Sequence, residues 1–146
     1  MSLQEIISAD IKASMLARQS DRTGVLRMLQ SEIKNSQINL GHSLTDDEII
    51  AVVRKEIKKR TESASLYTQH GQPDRAAAET TEAEILQAYL PAAISHEELT
   101  NFLKAEIEAH GGTFSPALRG VLIKSALAKF GNQTDGRQIN QAIDSL

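Results

Sequence analysis

Five cations crowd into the run Arg54-Lys-Glu-Ile-Lys-Lys-Arg60. In a helix each residue turns about 100°. Arg54, Lys55, Lys58 and Lys59 then share the arc opposite Ile50, Val53 and Ile57. Cations grouped this way can neutralise several phosphates of a nucleic acid and release its counterions. No aromatic residue is interleaved with them, so base stacking is not part of the chemistry. The other use of such a face is solvation, with Glu62 pairing locally to Lys58 or Lys59.

Arg60 stands apart, because its wheel position lies among the apolar residues. A guanidinium keeps its charge and must snorkel out or meet a carboxylate. The expected ion pair is Arg60 with Glu82, then with Glu84; Glu56, one turn earlier, is also within reach.

No other grouping suggests chemistry. His42, His70, His96 and His110 fall in loops or at helix ends, and no two have the i, i+4 spacing of a helical metal pair. There is no cysteine, no Gly-x-Ser-x-Gly elbow and no phosphate-binding glycine loop. Asp46, Asp47 and Glu48 open a helix, where negative charge complements the dipole. No catalytic residue, metal or cofactor is expected.

The elements that carry these residues can be read from caps and periodicity. Ser2-Leu-Gln-Glu5 and Thr45-Asp-Asp-Glu48 have the form of capping boxes, as does Ser95-His-Glu-Glu98. After the first, Leu3, Ile6, Ile7, Ile11 and Leu16 recur along a helix, which Gln19-Ser20-Asp21 breaks. Ser20 or Asp21 is expected to cap a second helix with a Val25, Leu26, Leu29 and Ile33 stripe. The third ends at His70-Gly71, and Pro73 opens a fourth that stops at Pro91. Three more follow, stopped by Gly111-Gly112, opened at Ser115-Pro116 and capped by Asp135. The helix after Pro116 is apolar around most of its circumference, which predicts a central place in its domain.

The reading is an all-α chain: an N-terminal four-helix domain over residues 1–92 and a small three-helix tail over 93–146. At 146 residues, 40% hydrophobic with five aromatic rings, its cores must be mainly aliphatic. The net charge of -3 gives no global attraction to nucleic acid or anionic membrane. Residues 1–92 hold 11 Lys/Arg against 13 Asp/Glu, and the rest 5 against 6, so any anion contact must be local. The absence of cysteine, of a signal or transit pattern and of a membrane-length apolar run leads to a cytoplasmic expectation, with no membrane contact.

Val53-Arg-Lys-Glu-Ile-Lys-Lys-Arg-Thr-Glu-Ser63, Tyr67, Gly71 and Glu84-Ile-Leu-Gln-Ala-Tyr-Leu-Pro91 resemble the YqeY family of small bacterial proteins. Leu26-Arg-Met-Leu-Gln-Ser-Glu-Ile-Lys34 and Asp135-Gly-Arg-Gln-Ile-Asn140 resemble it as well. The resemblance implies a tail similar to that of GatB, a subunit of the glutamine-dependent amidotransferase that corrects misacylated tRNA. There the tail helps to recognise tRNA, and the chemistry takes place in other, larger domains. A carbon-nitrogen ligase label with glutamine as amido-N-donor thus attaches by resemblance, without implying a stand-alone enzyme.

The tail departs from the family pattern. Val121, Lys124 and Gln133 stand where the family has lysine, glycine and arginine, while Arg119 and Lys124 supply charge nearby. The expectation is a tRNA-associated, non-catalytic accessory protein. Its contacts would be Arg54, Lys55, Lys58 and Lys59, with Arg119, Lys124 and Arg137 in the tail. The alternative is a module that docks on a larger protein complex.

Overall fold

Two reciprocal caps set the frame. Ser2 Oγ accepts from the Glu5 amide at 3.2 Å, and Thr45 Oγ1 accepts from the Glu48 amide at 3.2 Å. In return Glu5 and Glu48 accept from the Ser2 and Thr45 amides, so orphan donors at both helix starts are satisfied. The computed structural model describes residues 1–146 except the side chain of Asn132. The described chain is all-helical: α1 (Leu3–Leu16), α2 (Ser20–Leu40), α3 (Asp46–Gln69), α4 (Pro73–Gln87), α5 (His96–Ala109), α6 (Pro116–Phe130) and α7 (Gly136–Asp144), with one 3-10 turn at Gly131–Gln133.

The chain divides into two compact units, Met1–Leu90 and Pro91–Leu146. In the first, α3 and α4 form a long antiparallel hairpin, and α1 and α2 pack against it and each other. Its core is Ile7 and Ile11 of α1, Val25, Leu26, Leu29 and Ile33 of α2, Ile49 and Val53 of α3, and Leu86 and Tyr89. Asp46 also accepts from the Leu3 amide at 3.0 Å, which joins the starts of α1 and α3. Beyond Arg60, toward the turn at Gly71 (φ 70°), the only buried side chain of the hairpin is Ala76. The outer part of α3 and α4 therefore packs mainly on itself.

The second unit gathers α5, α6 and α7 around Leu99, Leu103, Leu122, Ala126, Ile139, Ala142 and Ile143. Ser95 and Asp135 cap α5 and α7 through the Glu98 and Gln138 amides. Phe102 and Phe130 meet edge to face with centroids 5.1 Å apart.

Three expectations change here. Neither Ser20 nor Asp21 caps α2; its N-cap is Gln19, which makes no side-chain cap bond. Leu16 is exposed, and α1 instead buries Ser14, whose hydroxyl pairs with Thr23 Oγ1 at 2.7 Å. The α6 helix is not surrounded: it buries Leu122 and Ala126 but exposes Val121 and Leu127, because among the described residues two helices, α5 and α7, and the short 3-10 turn flank it within its unit.

Candidate nucleic-acid interface

Ile49, Val53, Glu56 and Arg60 are the buried residues of α3, and their spacing places them on one stripe. The stripe is apolar in its first half, where Ile49 and Val53 join the core, and ionic in its second, where Arg60 reaches Glu82 of α4. Arg60 is 5% exposed, as is Glu56. Arg60 Nη1 donates to Glu56 Oε2 at 2.9 Å and to the Glu56 carbonyl at 3.2 Å. Its Nε donates to Glu82 Oε2 at 3.2 Å, across the hairpin on α4. Lys59 Nζ reaches the other Glu56 oxygen at 3.1 Å.

These partners fix the charge of Glu56. Burial pushes its carboxyl up, but the hydrogen bonds and charges of Arg60 and Lys59 outweigh burial and hold it below the usual carboxylate range. The buried pair is thus ionised and hydrogen-bonded, the condition under which burying charge is tolerable.

This inner arrangement sorts the outer cations. Lys55 and Lys58 are exposed on α3. Lys59 is also exposed but is tied to Glu56, not to Glu62. Arg54 is half-buried and has an interaction of its own. Lys55 and Lys58 lie one helical turn apart, and Lys59 continues the arc. The face can meet a chain of phosphates but offers no ring for a base to stack on.

The tail cations differ more. Arg119 is half-buried, donates to Asn140 Oδ1 at 2.8 Å and pairs with Asp144 Oδ1 at 2.7 Å. Its guanidinium also lies over the Phe114 ring, 5.8 Å from the centroid. Arg119 therefore fastens α6 to α7. Lys124 and Arg137 are exposed, one on each of these helices.

The histidines do not converge. His42 lies 3.9 Å from Glu48, His110 Nδ1 meets the Glu106 carbonyl, and His96 Nε2 is 3.3 Å from Ser145 Oγ. No group of three or more His, Cys, Asp or Glu that would hold a metal occurs among the described residues. No described helix is long and apolar enough to cross a membrane.

Sequence reasoning missed two features. The first is the burial of Glu56, although the 49, 53, 56, 60 spacing was its signal. The second is the bond from the Tyr89 hydroxyl to Asp10 of α1. Burial, then the Asp10 hydrogen bond and charge, push the Tyr89 phenol far above its ordinary value, against a smaller opposing effect of Arg22. No local pattern announces a pair 79 positions apart.

A family model described as Yqey-like protein matches residues 4–146. The chain is similar to "Altered inheritance of mitochondria protein 41, mitochondrial" of Clavispora lusitaniae, with 34% identity over 115 residues, 75% of this chain and 66% of that protein. It is also similar to an uncharacterised protein of Schizosaccharomyces pombe, 29% identical over 90 residues, which are 62% of this chain and 73% of that one. The protein of Vanderwaltozyma polyspora with the same mitochondrial name is 29% identical over 85 residues, 58% of this chain and 46% of that one. The chain thus spans just under two thirds of the first of these relatives and less than half of the third.

Proposed function

Because the chain belongs to the YqeY family, we propose that it is a tRNA-associated accessory protein that acts without catalysis of its own. The observation that carries the reading is the sorting of charge on α3. Arg60 on its inner stripe is neutralised by Glu56 and Glu82, while Lys55 and Lys58 face solvent. Lys124 and Arg137 are the second set of contacts, and Arg119 positions the helices that present them. Recognition is of phosphate and shape. The cytoplasmic placement belongs to this proposal as well; two of the relatives are named mitochondrial.

Filter binding of tRNA across a salt series tests it. Affinity should fall as salt rises, with a slope of about -0.7 to -0.9 per phosphate contacted. The double variant Lys55→Gln/Lys58→Gln should weaken binding and flatten that slope by about 1 to 2. Salt-independent affinity, or none at low salt, would overturn the reading.

A second reading has its own observation. Val121 and Leu127 of α6 are exposed, as is Phe114 just before it, apolar side chains available for docking on a larger protein complex. Pull-down from cell extract with and without nuclease separates the two: a partner retained after nuclease favours docking.

A further inference from the structure

Two residues in the first unit take locally unfavourable forms, and both line the same cleft. Arg18, in the turn between α1 and α2, has φ 57°. That left-handed region is natural for glycine and costly for a long side chain. Gly24 lies inside α2, where glycine weakens a helix, yet a Cβ built there would meet nothing within 4 Å. Packing therefore does not require the glycine. A cleft of about 430 Å³ is lined by Arg18 and Gly24, with Arg27, Ser20, Gln19 and Met15. The cleft is open to solvent and both arginines are exposed in it; backbone strain and a weakened helix that converge on one such surface are signs of a site.

The chemistry of the lining specifies the occupant. No ion pair or hydrogen bond holds the Arg18 guanidinium among the described residues. Arg27 donates at 3.2 Å only to Met15 Sδ, a weak acceptor. No carboxylate lines this cleft; Asp21 lines the two adjoining ones instead. The buried Ser14 and Thr23 hydroxyls share a hydrogen bond, which leaves the Ser20 hydroxyl and the side-chain amide of Gln19 as further donors. Arg22, close by, lines the adjoining cleft and acts on the Tyr89 phenol. Two guanidiniums without carboxylate partners, beside neutral donors and an open helix wall, match a doubly charged phosphate group.

We infer that the cleft between Arg18 and Arg27 binds a phosphate monoester or free phosphate, independently of the basic face of α3. Titration calorimetry with inorganic phosphate, and with a short oligoribonucleotide carrying either a 5′-phosphate or a 5′-hydroxyl, tests the inference. Arg18→Gly relieves the backbone while removing the guanidinium, so it should raise the thermal midpoint and weaken phosphate binding by about tenfold or more. Arg27→Gln should weaken it similarly with the fold intact, and Lys55→Gln/Lys58→Gln should leave phosphate affinity unchanged. Preference for the 5′-phosphorylated oligonucleotide identifies a nucleic-acid end as the source; comparable binding of free phosphate identifies the free ion. Unchanged affinity in Arg18→Gly, or no phosphate binding by the unaltered chain, overturns the inference and leaves the α3 reading standing.

Discussion

Arg60 and Glu56 are bound to each other twice: Arg60 Nη1 donates to both the carboxylate and the main-chain carbonyl of Glu56, one helical turn back. The same guanidinium reaches Glu82 through Nε. Its planar fork therefore serves α3 and α4 together, which a lysine ammonium cannot reproduce. Arg60→Ala leaves a buried carboxylate with only Lys59. We expect it to cost about 3 kcal/mol, against less than about 1 kcal/mol for Lys59→Ala, whose ammonium is largely solvated. Urea unfolding of the two variants checks the ranking. Equal losses would mean that the buried pair does not govern hairpin stability.

Glu56 links this network to pH. Its folded carboxyl lies below its ordinary value of 4.5, so the stabilisation is complete above about pH 4.5 and is lost as pH falls through the folded value. Glu56→Gln removes that dependence. The stability gap between Glu56→Gln and the unaltered chain should be widest near pH 7 and shrink below about pH 4.5. Thermal melts at pH 7, 5, 4 and 3 measure it, and a constant gap would refute the linkage.

Tyr89 works in the opposite direction. Its phenol holds its proton well above its ordinary value of 10.0, so its contribution is full below about pH 10 and is lost as pH rises further. Tyr89→Phe should cost about 1 kcal/mol at pH 7 by removing the bond to Asp10. That cost should fall away at pH 11. Denaturant midpoints at the two pH values decide it; a cost that persists unchanged would assign the effect to packing.

Gly24→Ala offers a test of a different sign. Because a Cβ meets nothing within 4 Å, the substitution should stabilise the chain by about 0.5–1 kcal/mol through helix propensity alone. A lower thermal midpoint in calorimetry would show that the position is closed to a side chain.

The sequence disclosed what local rules govern. Ser2, Thr45, Ser95 and Asp135 cap helices because each carries its own acceptor within reach of the orphan amides. The Arg60–Glu82 pair was legible because wheel position left a charge among apolar neighbours. Tyr89–Asp10 was not, since only tertiary packing brings those residues together. The exposure of Val121 and Leu127 was hidden for a related reason: composition gives the apolar sides of α6 but not how many neighbours cover them. Arg18 carries no sign in the sequence that its backbone will turn left-handed.

The sparse burial beyond Arg60 separates the hairpin into two regimes of motion. Near the core, amides of α3 and α4 are protected by Ile49, Val53 and Leu86 and can exchange with solvent only when the whole unit opens. Past the Glu56–Arg60–Glu82 cluster, Ala76 alone is buried, so the turn end can fray and re-form while the rest of the unit stays folded. The ionic cluster marks the boundary at which local breathing stops.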